Sequence, residues 1–283
     1  MKKFNVLLVL LISIILLSAC NNDSSAKDQL DEDSRWAEIE KAGVLVVATS
    51  GTLYPASYYP EDSNELTGYD VEVIRKVAEE LELDIKFEEM GFDAMLAALE
   101  SGRVDVIQAG PREESKKKFA FSDPFKYSYS TMIVRSDDLS GIETLEDLQG
   151  KKAGGAATTV YSDIAEKFGA DVITYANPTN DAYLRDVHNG RTDLIINDYY
   201  LQSLSLDFFT EFNIELHPNL QFHPTTNNVV MPKDAPVLME KINGALDEIR
   251  EDGVLTEISE EFFGGQDVSK EPEIDIIEIE GIE

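Results

Sequence analysis

Two short stretches hold residue types suited to gripping a small polar solute. Thr158 and Thr159 stand just before a helix predicted to run through Phe168, so their hydroxyls and the free backbone N–H groups of the helix start form a candidate anion site. Asp198 follows the strand Leu194 to Asn197 and opens the next helix, in the strand-end crevice where α/β sheets bind ligands. For each, the alternative role is an ordinary helix cap. His188, His217 and His223 show no metal-ligand spacing and read as surface residues. The sequence contains no Gly-x-Ser-x-Gly elbow, no phosphate loop and no activated cysteine. Carboxylates are abundant enough to allow an acid–base pair on residue type alone, but the residues that can be placed make binding contacts. Capture without catalysis is therefore expected, with no metal and no cofactor.

Those residues need a scaffold, and the hydropathy pattern supplies one. From Gly43 to Gly110 short apolar strands (Val44 to Ala48, Ile85 to Phe87, Val104 to Ile107) alternate with amphipathic helices. Asp70 is predicted to cap the first helix and Asp93 the second. The logic repeats after Thr144, which opens a short helix: Ala153 lies in a strand, Val172 to Tyr175 in another, Asn180 or Asp181 caps the helix Ala182 to His188, and Leu194 to Ile196 is a third strand. One hexapeptide echo supports duplication, Gly102-Arg103-Val104-Asp105-Val106-Ile107 against Gly190-Arg191-Thr192-Asp193-Leu194-Ile195. The predicted fold class is α/β, two similar lobes joined by two hinge strands, with the ligand in the cleft between them. Ser130 to Arg135 and Asn228 to Met231, both β-prone, are the candidate crossings, and Ala235 to Phe263 returns to the first lobe.

The ends of the chain carry the localisation argument. Lys2 and Lys3, an apolar run from Val6 to Leu17 and then Leu17-Ser18-Ala19-Cys20 read as a secretion signal. The last four residues resemble the bacterial lipobox, which implies cleavage before Cys20 and acylation of its thiol. An uncleaved anchor helix is the alternative, and both place the bulk of the protein outside the cytoplasm. The expected organisation is a signal peptide over 1–19, a flexible acidic tether over 20–33, a first lobe over 34–132 with 232–265, a second lobe over 133–231, and an acidic tail over 266–283 that is loose or adds an edge strand at Ile274 to Ile279. The formal net charge of -31 excludes phosphate-driven nucleic-acid binding and attraction to anionic headgroups, leaving the acyl group as the membrane contact.

Six stretches, in order over Arg35 to Gly265, carry a resemblance to the polar amino-acid class of periplasmic-type solute-binding proteins, and within it to the cystine-binding branch. They are Trp36-Ala37-Glu38-Ile39 before Gly43-Val44-Leu45, Leu66-Thr67-Gly68-Tyr69-Asp70-Val71, Phe121-Ser122-Asp123-Pro124-Phe125, Leu145-Glu146-Asp147-Leu148-Gln149-Gly150-Lys151, Asn197-Asp198, and Asp252-Gly253-Val254-Leu255 with Phe262-Phe263-Gly264. The resemblance implies a monomeric clamshell that delivers its ligand to an ABC permease in the membrane, with cystine or a related sulfur amino acid as the first candidate. It assigns the ligand carboxylate to Thr158 and Thr159, the ammonium to Asp198 beside Asn197, and the ligand side chain to Phe92. Tyr54 and Tyr58, in the loop after the first strand, are further wall candidates, with Ala109 and Gly110 at the end of the third strand.

One segment departs from the family pattern. Relatives place a carboxylate-forking arginine between Ala109-Gly110 and Phe121, whereas this chain reads Pro111-Arg112-Glu113-Glu114-Ser115-Lys116, with Ser115 at the expected position. Either Arg112 reaches the same point from a rearranged loop, or the clamp is lost. Two other roles compete with import: a ligand sensor for a membrane receptor, and a dehydratase or transglycosylase on the same fold.

Overall fold

The computed structural model describes residues 34–282. The segments expected to be a signal peptide and a tether, with Cys20 between them, lie outside the described residues. Helix α1 (Ser34–Ala42) leads into β1 (Val44–Thr49), followed by α2 (Tyr69–Glu80), β2 (Asp84–Glu89), α3 (Phe92–Glu100) and β3 (Val106–Ala109). The strands β2, β1 and β3 are parallel neighbours, and fully buried Leu45, Val47 and Val106 pack under Val73, Ile74 and Val77 of α2. Strands covered on both faces read as continuous apolar runs, which is what β1 shows.

After the one-turn α4 (Glu113–Lys116) come the two long strands that build the hinge, β4 (Phe119–Arg135) and, much later, β9 (Phe222–Pro232). They run antiparallel along most of their length. Phe119 to Phe121 pairs with Pro232 to Val230 beside β3, whereas Ser130 to Arg135 pairs with the second lobe. That lobe contains β5 (Lys152–Gly155), α5 (Val160–Lys167), β6 (Asp171–Thr174), α6 (Asn180–His188), β7 (Ile195–Asp198), α7 (Tyr199–Phe208) and β8 (Ile214–Leu216). Its own core gathers Met132, Val134, Leu148, Ile164, Leu194 and Phe222. Helices α8 (Pro236–Glu251) and α9 (Val254–Phe262) then return to the first core, where Leu238, Ile242, Leu246 and Ile249 form one apolar stripe at helical spacing. Truncating a fully buried residue of that stripe, such as Leu246→Ala, costs about 2–5 kcal/mol.

The hexapeptide echo has one structural meaning in both lobes. Gly102 and Gly190 end their helices at φ of 72° and 70°, the left-handed conformation that ends many helices. The aspartate three residues on then accepts from the first strand of its lobe: Asp105 Oδ2 from Val46 N–H (2.7 Å), Asp193 Oδ2 from Lys152 N–H (2.9 Å). Arg35 pairs with Asp105 at 2.8 Å and Arg135 with Asp193 at 3.3 Å. Each lobe thus closes its sheet with the same acid.

Several capping assignments are corrected. Gly68 caps α2 in place of Asp70, at φ 124°, where any Cβ would lie 2.4 Å from Ala56 O. Gly91 caps α3 in place of Asp93, and Thr179 caps α6 in place of Asn180 or Asp181. His217 is buried, not on the surface, its Nε2 3.1 Å from Ile142 O. The C-terminal segment is not loose where described: Val268 and Ile279 are buried.

Candidate functional site

The hinge brings together three charged side chains from three elements. Asp198 ends β7, and its Oδ1 accepts from Leu201 N–H (2.9 Å), so it does cap α7. Its Oδ2 faces the other way and accepts from Lys126 Nζ (2.8 Å), which projects from β4. Both residues are buried, and the lysine ammonium also lies 5.1 Å from the centre of the Phe263 ring. Asp70, in the first turn of α2, points into the same region, with Oδ1 lacking any hydrogen-bond partner. Burial pushes its carboxyl up to about 6, Asp198 adds to the rise, and Lys126 and the Asn227 side chain oppose it. One lysine offsets one of two enclosed carboxylates, so the cluster retains capacity for another cation.

Lys126 was not singled out from the sequence. The available signal was a lysine between Phe125 and Tyr127 in a β-prone stretch, where a buried ammonium needs a carboxylate.

The start of α5 faces the first lobe. Thr159 caps its own helix by accepting from Ser162 N–H (3.2 Å). Asp93 reaches across the cleft from α3 and accepts from Ala157 N–H (3.3 Å), Thr158 N–H (3.1 Å) and the Thr158 hydroxyl (2.5 Å). A carboxylate therefore occupies these donors, and it is the protein's own. A second contact between the lobes lies alongside: the Arg112 guanidinium forks onto both oxygens of Asp163, on α5. Asp163 holds the Arg112 charge above its already high range.

A cavity of about 720 Å³ lies between the lobes. Of the candidates from the sequence, Phe92, Ala109, Gly110, Thr158, Thr159, Asn197 and Asp198 line it. Gly110 is required there, because a Cβ would sit 2.8 Å from Thr226 O. Three candidates lie off the cavity lining in this structure. Arg112 lines no part of the cavity, being held by Asp163. Tyr54 and Tyr58 stack edge to face, Tyr54 packs on Phe208, and neither reaches the wall. Apolar contact among these rings is worth more than leaving them in a water-filled cleft. The sequence reading missed Lys126, Asp70 and Tyr161 as lining residues, and also the C-terminal Glu271, Asp275 and Glu278. Among the described residues the lining has no arginine, and no helix is long and apolar enough to cross a membrane.

Two α/β lobes hinged by a pair of strands around a charged cavity define a solute-binding protein of the type II periplasmic-binding architecture. The family model for bacterial extracellular solute-binding proteins, family 3, matches residues 45–265, and the chain belongs to that family. It is 49% identical over 270 residues to the probable ABC transporter extracellular-binding protein YckB of Bacillus subtilis, covering 94% of this chain and 93% of that one. It is 34% identical over 277 residues to the L-cystine-binding protein TcyA of Bacillus subtilis, covering 95% of this chain and 100% of that one. The crystal structure of Bacillus subtilis YckB superposes with a TM-score of 0.67 at 51% identity, covering 87% of this chain and 99% of that chain.

Proposed function

We propose that this protein is the extracytoplasmic receptor of an amino-acid ABC importer, anchored through acylated Cys20, and that it captures its ligand between the lobes without transforming it. The observation that carries this reading is the enclosed pair of carboxylates, Asp198 and Asp70, sharing one lysine inside a cavity walled by both lobes. A ligand ammonium entering there gains charge-assisted hydrogen bonds in a site shielded from water. The ligand carboxylate displaces Asp93 from the α5 start at Thr158 and Thr159, where N–H groups and a hydroxyl hold the Asp93 carboxylate in this structure. Cystine is the first candidate, supported by the similarity to TcyA and by a cavity roomier than a short amino acid needs. Ligand contacts from both lobes favour closure, the state a permease would recognise.

The test is a thermal-shift and calorimetric panel of all amino acids with cystine and related sulfur amino acids. A ligand at a hundred times its dissociation constant adds about 2.7 kcal/mol of stability and raises the melting temperature visibly. A panel without a single hit counts against the amino-acid reading.

A further inference from the structure

After α9 the chain does not leave the molecule. Tyr127 N–H donates to Val268 O (2.8 Å), and the Val268 side chain is buried in the first core. The segment then passes over the hinge and docks on the second lobe. His223 N–H donates to Ile277 O (2.7 Å), Ile277 N–H donates to Gln221 O (3.3 Å), and Ile279 is buried in the core that holds Phe222. Between these two anchors, Glu271, Asp275 and Glu278 line the same cavity as Asp70 and Asp198.

Strand register gives the distance across that cavity. Asp198 lies opposite Ser130, Ser130 opposite Phe222, and Phe222 opposite Ile277. Three strand spacings of about 4.8 Å put the C-terminal segment at most about 14 Å from Asp198. The wall between them carries five carboxylates against two lysines, one of which, Lys126, is paired with Asp198. Asp70, which also lines the cavity, has a buried Oδ1 without a hydrogen-bond partner.

We infer that residues 266–282 form one wall of the ligand site, and that Glu271, Asp275 and Glu278 select an extended ligand with a second ammonium, one end held at Asp198 and the other at this segment. The inference rests on the amino-acid reading of the cleft and names the ligand class within it: diamino acids over amino acids with a single ammonium.

The three acids are exposed, so E271Q, D275N and E278Q together remove charge without opening the core. Wild type and this triple variant are titrated at low salt with L-cystine and L-lysine, and with L-glutamine and L-methionine. Three exposed charge contacts support an effect of about tenfold. The expected result is a loss of that size for the two-ammonium probe that wild type binds, and less than about twofold for the others. An unchanged preference in the variant overturns the inference, as does a wild-type protein that binds only glutamine or methionine, and both leave the amino-acid reading standing. A wild-type protein that binds none of the four also overturns the inference, and only silence across the full amino-acid panel overturns the amino-acid reading with it.

Discussion

Lys126 Nζ lies 2.8 Å from Asp198 Oδ2, a buried ion pair between residues 72 apart in sequence that closes the floor of the cleft. Removing Lys126 leaves Asp198 and Asp70 enclosed without their cation, while removing Lys126 and Asp198 together leaves Asp70 alone. Lys126→Met is expected to destabilise the protein by about 3–5 kcal/mol, and Lys126→Met with Asp198→Ala by clearly less than that single change. Urea unfolding of the two singles and the double gives the coupling directly; additive losses would show that the pair is not a unit.

The same aspartate faces the proposed ammonium. In protein that remains folded, Asp198→Asn should weaken binding of the amino acid found in the panel by about 2–5 kcal/mol. Calorimetric titration checks this, and unchanged affinity removes Asp198 from the ligand site.

Asp70 makes stability depend on pH with a definite sign. Its folded-state value of about 6 lies above the ordinary 3.8, so between those values the folded chain holds the proton more often than the unfolded chain. Its contribution therefore falls as pH rises through that window and is flat above it, reaching a penalty of about 2–3 kcal/mol. Asp70→Asn is expected to be neutral in its effect near pH 4 and stabilising near pH 7.5. Denaturant melts of both proteins across this range measure the difference, which cancels the titration of all other acids; a pH-independent difference refutes the assignment.

Arg112 separates two roles. As a latch between the lobes, Arg112→Ala and Asp163→Ala should each weaken ligand binding by about 1 kcal/mol, and the double variant by no more. As a direct fork on a ligand carboxylate, Arg112→Ala alone would cost several times as much. A double-mutant cycle read by titration decides between them.

Cys20 tests the anchoring part of the proposal. Cys20→Ala is expected to release the protein from the membrane fraction into the medium, followed by immunoblotting of fractionated cells. Protein that stays with the membrane would mean that another segment holds it.

Much of the fold was legible because its determinants are local. The alternation of apolar strands with amphipathic helices sets an α/β architecture through side-chain periodicity. The echo at Gly102 and Gly190 marks the same turn twice, since each glycine ends a helix and each aspartate three residues on ties down a first strand. Asp198 was legible as a helix cap at a strand end for the same reason, because a strand end followed by a helix start is a feature of neighbouring residues. Tertiary structure alone decided where charges find partners. Arg112, a candidate ligand clamp in the sequence, is paired with Asp163 of the other lobe in this structure, and Asp93, predicted as a helix cap, reaches Thr158 instead. Lys126 and Asp70 became site residues only when two strands and a helix met at the hinge. The acidic C-terminal segment has no pattern that announces a cavity wall, because its two buried anchors, Val268 and Ile279, take their meaning from cores built elsewhere in the chain. Periodicity is written residue by residue, whereas charge compensation is a property of the space that distant segments enclose.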